Sequence, residues 1–103
     1  MTRDVEITLI TPSFALDDWG IPQPNAETTN TVMARIGSVS ASEFFEAGRN
    51  GLRPEYKFTM FLYDYDGQRE LEYDGTRYTV YRTYMGKSDT VELYVALKGG
   101  TNG

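Results

Sequence analysis

The stretch Glu55–Leu97, EYKFTMFLYDYDGQRELEYDGTRYTVYRTYMGKSDTVELYVAL, decides the fold. Tyr56, Phe58, Met60 and Leu62 alternate with Lys57, Thr59, Phe61 and Tyr63, the period of two that places successive side chains on opposite faces of a strand. Both sets are apolar near the middle, so both faces of this strand are expected to be partly covered. Asp66-Gly67 and Asp74-Gly75 each separate strand-like runs. They fit type I′ hairpin turns, whose two central residues need positive φ. Leu71 and Tyr73 lie between the two turns. Tyr78, Val80 and Arg82 then alternate with Arg77, Thr79, Tyr81 and Thr83. Gly86–Asp89 turns the chain, and Val91, Leu93, Val95 and Leu97 form a last strand. The polar tail Gly99–Gly103 is expected to be disordered.

Upstream, Val5, Ile7 and Leu9 alternate with Glu6 and Thr8 as in a half-buried strand. Pro12 is expected to stop it, because proline cannot donate to a sheet ladder. Residues 12–30 carry Pro12, Pro22 and Pro24 and follow neither period. They read as one long loop, with Phe14, Leu16 and Trp19 as its large apolar groups. Val32, Ala34 and Ile36 restore a strand face over Thr31–Ser38. Ser40 followed by Glu43 is a capping-box signature. It opens a short helix over Ala41–Arg49, with Phe44 and Phe45 expected to anchor it to the sheet. Gly48, Gly51 and Pro54 end it.

These readings give an all-β domain over residues 1–98: a small antiparallel barrel or sandwich of about six strands, with one short α-helix plugging or capping an open end and a long loop at 12–30. The 103 residues suit a single domain. The chain has no cysteine and no histidine. Disulfides, thiolate catalysis, His-based triads and zinc sites built on Cys or His are thereby excluded. The formal charge of -5 makes it a poor general binder of nucleic acid, which is gripped through Lys and Arg on phosphate. Met1–Asp4 leads straight into a strand with no apolar run of signal-peptide type, and no stretch approaches the ~18–20 apolar residues of a membrane span. A soluble protein made in the cytoplasm is expected.

Three features bear on chemistry. The carboxylates Asp64, Asp66, Glu70, Glu72 and Asp74 evoke a calcium loop or a hydrolase pair, but a calcium loop needs glycine at its sixth position, where this chain has Arg69. Turn residues and the outer face of a short strand account for them better. All eight tyrosines lie in the C-terminal half. Tyr56, Tyr63 and Tyr81 with Arg82 would serve a monomeric oligonucleotide-binding barrel as a stacking platform. Residues 31–103 hold nine Lys/Arg against ten Asp/Glu, so no basic field supports that alternative. Tyrosine equally suits protein interfaces; Tyr78, Arg82 and Tyr84 are the candidates for subunit contact. The third feature is the loop, whose only charges are Asp17, Asp18 and Glu27. It reads either as a solvated excursion pinned by Trp19 or as a functional arm. No catalytic, cofactor-binding or metal-binding residue is expected.

The run Ser38-Val39-Ser40-Ala41-Ser42-Glu43-Phe44-Phe45-Glu46-Ala47-Gly48, then Gly51-Leu52-Arg53-Pro54-Glu55, resembles a segment of the head–tail adaptor (head closure, or stopper) proteins of tailed phages. Asp64-Tyr65-Asp66-Gly67, Glu72–Tyr78, Tyr81-Arg82-Thr83-Tyr84 and Val91-Glu92-Leu93-Tyr94 are similar to later motifs of the same family, in the same order, and Ile7–Ile10 fits its opening. Gln68 stands where the family has an acidic residue, and the loop is where the family varies most. The resemblance implies a non-enzymatic virion protein at the head–tail interface, a small barrel that joins copies of itself in a ring, often of twelve. A portal-adaptor protein would lie above the ring and a tail terminator or other tail protein below, with packaged double-stranded DNA in the channel. Such rings retain the genome and give the tail its docking surface. Asp17, Asp18, Trp19 and Glu27 would then form a channel or gating loop, whose acidic charge repels phosphate.

Overall fold

The computed structural model describes residues 3–97, with the side chains of 13–15 and 24–26 outside the description. Six strands, β1 (Arg3–Leu16), β2 (Pro22–Gly37), β3 (Pro54–Phe61), β4 (Glu70–Tyr73), β5 (Thr76–Met85) and β6 (Thr90–Leu97), close a barrel in the order β1-β2-β3-β6-β5-β4. Every pairing is antiparallel, including the β1–β4 pairing that closes it. The all-β, six-stranded barrel expected from the alternation is therefore the fold. Its core takes one face of each strand: Ile7 and Leu9, Ala34 and Ile36, Phe58 and Met60, Leu71, Tyr78 and Val80, and Val91, Leu93 and Val95. These pairs and triplets are two residues apart, as a strand with one buried face requires.

Asp74-Gly75 makes the expected tight turn between β4 and β5, both residues at positive φ (54° and 81°). Asp66-Gly67 does not. β3 pairs with β6, not β4, so residues 62–69 carry the chain from β3 to a strand that is not its neighbour. A 3-10 turn, Leu62–Asp64, opens this connection. Tyr65 Oη then donates to the Gln68 carbonyl at 2.6 Å, and the Asp66 N–H donates to Gln68 Oε1 at 2.8 Å. Gln68 closes the loop upon itself, and the hairpin expected there is replaced by it.

The largest departure lies at residues 12–30, which form a two-stranded ribbon instead of a loop. β1 and β2 stay in register from Arg3↔Ile36 out to Leu16↔Pro22, with one shift between Pro12 and Phe14. Pro12 stays paired with Glu27 beside this shift, past the point where β1 leaves β4. Pro22 and Pro24 are two apart and so turn to the same edge of β2. Beyond Ile10, where β1 leaves β4, neither outer edge of the ribbon has a third strand to supply among the described residues. A missing N–H on an outer edge therefore costs no ladder bond. The six residues Thr11–Leu16 carry this arm about 20 Å past the barrel. The radius of gyration is accordingly 15.1 Å, against about 13 Å for a compact 100-residue domain.

The helix α1 (Ala41–Gly48) matches its expected span to one residue. Ser40 Oγ accepts from the Glu43 N–H at 3.1 Å. The chain leaves the helix through Gly51 at φ 79°, with Leu52 N–H returning to the Ala47 carbonyl at 3.1 Å. α1 lies against Tyr81, Arg82 and Tyr94, and none of its residues enters the barrel core. Tyr94 alternates with the core residues Leu93 and Val95, which places it outside the barrel.

Candidate functional site

Two surfaces stand out from the barrel, the tip of the arm and the outer face of α1. The tip is built by Asp17. Its main-chain N–H and carbonyl bond Ile21 and Gly20 at 3.0 Å each. Its Oδ1 accepts the N–H groups of Trp19 and Ile21 at 2.9 Å, and its Oδ2 takes Gln23 Nε2 at 3.3 Å. These donors, the Ile21 N–H foremost, hold the Asp17 carboxyl below its ordinary value of 3.8. Gly20 completes the turn at φ 78°, a conformation glycine adopts freely. An aspartate bonding the main chain two residues on, with a glycine following, is a turn signature the sequence contained.

The turn leaves its apolar side chains outside. Trp19 is 82% exposed, and Leu16 and Ile21 are exposed beside it. Trp19 thus does not pin the arm to the body. Ile21 is a residue that sequence reasoning passed over, masked by the prolines that follow it. Of the three acidic groups assigned to a gating loop, Asp17 is committed to its own turn. Glu27 sits at the base of the arm, where both its oxygens meet Arg77 at 3.0 Å, and Arg77 also reaches Glu70 at 3.5 Å. Glu27 raises the Arg77 pKa through this contact. Asp18 alone makes no hydrogen bond or ion pair among the described residues.

The helix is fastened by a charge. Glu43, only 7% exposed, accepts from Tyr81 Oη at 2.8 Å and pairs with Arg82. The Arg82 guanidinium lies 5.1 Å from the centre of the Tyr94 ring, a cation–π contact. Burial, then the bond to Glu43, pushes the Tyr81 phenol well up. Burial, then the bond to Glu92, pushes Tyr94 up to about 12. Tyr81 is the residue skipped in register between Val80 and Arg82, so a bulge in β5 aims it at the helix.

Glu43 and Ala47, four apart, are the buried residues of α1. Phe44 and Phe45, expected to be its anchors, are instead 46% and 70% exposed, with their rings edge to face at 6.1 Å. The eight-residue helix meets a wall of tyrosine and arginine, and there a carboxylate is the better anchor. Arg49 pairs with Glu46 at 3.6 Å, and Arg53 is exposed with no ion pair among the described residues.

The candidate interface residues divide three ways. Tyr84 is exposed on the wall. Arg82 is held by Glu43. Tyr78 is 6% exposed and packs on Tyr56 inside the barrel, so the expectation that it reaches a neighbour is corrected. Nor do the proposed base-stacking rings share a platform: Tyr56 packs against the core ring Phe58, while Tyr81 is bound to Glu43. Among the described residues, no cluster of acidic groups converges to hold a metal ion, and no helix is long and apolar enough to cross a membrane. Comparison of the chain with protein-family models, with curated proteins and with solved structures finds no match in any of the three.

Proposed function

We propose that this chain is a structural subunit that assembles into a ring, serving as a head-closure or head–tail connector component of a tailed-phage virion. In that reading it acts without catalysis, retains packaged DNA below the portal adaptor and offers the tail its docking surface. The observation that carries the assembly reading is the arm. A ribbon that leaves the barrel by about 20 Å and ends in an exposed tryptophan contributes none of its described side chains to the core. Exposed apolar groups gathered at one point mark contact with another surface. The phage setting rests on the resemblance of the sequence motifs.

The arm has two candidate jobs in such a ring, a gate facing DNA or a latch onto protein. The tip favours the latch. Glu27 and Asp17 are engaged within the chain, and Leu16, Trp19 and Ile21 suit a protein surface better than a phosphate-facing lumen. Retention of the genome then follows from closing the ring. Deleting the gene tests the proposal: filled heads that lack tails and lose their DNA are expected, and normal, DNA-retaining virions would overturn it.

A further inference from the structure

We infer that the arm tip of one copy docks on helix α1 of the next copy. The inference rests on the assembly reading and names the two surfaces that meet. The sixteen residues of β2 would span about 50 Å, and the longest extent of the molecule is 50 Å. β2 begins at the tip and ends at Gly37, next to the helix. The tip and α1 therefore sit toward opposite ends of the chain, and no copy can join its own.

The two surfaces match in kind. The tip offers Trp19 and Ile21, and the helix offers Phe44 and Phe45, all exposed. They also match in charge. From Asp4 to Ala34 the chain has no Lys or Arg, and the tip carries Asp17 and Asp18. Arg49 is held by Glu46, but Arg53, just past the helix, is exposed with no ion pair among the described residues, as Asp18 is at the tip. An apolar tip carrying the carboxylate of Asp18 and an apolar helix face flanked by the guanidinium of Arg53 attract each other. Because the partners are different surfaces, the contact is heterologous, and each copy gives one and takes one. Such contacts close rings or grow filaments.

The test uses the full chain in two faulted forms. The tip variant is Trp19→Ala/Ile21→Ser, and the helix variant is Phe44→Ser/Phe45→Ser. All four side chains are exposed, so both variants are expected to fold, with circular dichroism as the check. Sedimentation of the wild type should show concentration-dependent association. Each variant alone should associate at least ~30-fold more weakly, the loss typical of an aromatic hot spot. An equal mixture should form one-to-one pairs and nothing larger, because one intact tip meets one intact helix and the chain then stops. Trp19, the sole tryptophan, gives a second readout: its emission should shift to the blue as wild-type concentration rises. Folded variants that associate like the wild type, a mixture that stays monomeric, or a wild type that never associates would each overturn the inference. Rings that persist in virions built with the tip variant would sink this contact and leave the ring reading standing. Mixed pairs without any ring at the head–tail junction would do the reverse.

Discussion

Replacing Glu43 with alanine should detach α1 from the barrel wall. The Tyr81 phenol loses its acceptor at a half-buried site, which costs about 1–3 kcal/mol. The full ~3–5 kcal/mol of a broken buried ion pair does not apply, because the Arg82 side chain is 52% exposed and can turn to water; about 1 kcal/mol is the fair share there. An acidic group lost from the first turn of the helix adds about 0.3–1 kcal/mol. The expected loss is about 2–5 kcal/mol, equivalent in a domain of this size to a drop in Tm of about 10–25 °C. Urea unfolding followed by circular dichroism measures it. Glu43→Gln keeps an acceptor for Tyr81 and should cost roughly half as much. Tyr81→Phe should couple to Glu43→Ala by about 1 kcal/mol in a double-mutant cycle, since the two groups share one bond. A loss below about 0.5 kcal/mol for Glu43→Ala, or strict additivity with Tyr81→Phe, would refute the reasoning.

Three further outcomes are expected. Arg77→Ala should cost no more than about 1 kcal/mol, because its pair with Glu27 is half in water, yet it should speed hydrogen exchange at the base of the arm; unchanged exchange there would remove Arg77 as the strap. The folded Asp17 carboxyl titrates below its ordinary 3.8, so the tip turn gains stability above that pH and loses it as pH falls through the lowered value. Nuclear magnetic resonance of the Trp19 and Ile21 amides should follow this loss, and Asp17→Asn should abolish the transition. The Tyr81 and Tyr94 phenols keep their protons more tightly in the fold than the ordinary value of 10. Their contribution is intact below pH 10 and declines as pH climbs toward 12, so alkaline unfolding should coincide with late phenol ionisation, seen by ultraviolet absorbance, and early ionisation of all eight tyrosines would contradict it.

The barrel was legible wherever one face of a strand is buried. Val91, Leu93 and Val95 alternate because the core demands it, and so do Phe58 and Met60. The arm was illegible for the same reason: none of its described side chains is buried and no core imposes a period on them, and its prolines read as breaks although they lie along an open edge. The Asp17 and Gly20 pair was the one local signal of its turn. Asp66-Gly67 misled because a turn dipeptide reports local conformation and says nothing of which strands it joins; only the β3–β6 pairing decides that. The phenylalanines of α1 misled because apolar content normally marks the packed face of a helix. Here the wall is polar, and the buried position went to Glu43.

The central claim is that this chain works by joining copies of itself around an axis. A cryo-electron microscopy reconstruction of the head–tail junction of a filled virion tests it most directly. The expected map shows a closed ring of this barrel, with each Trp19 seated against Phe44 and Phe45 of the adjacent copy. A junction that lacks this barrel, or barrels that sit there singly with their arms in solvent, would contradict it.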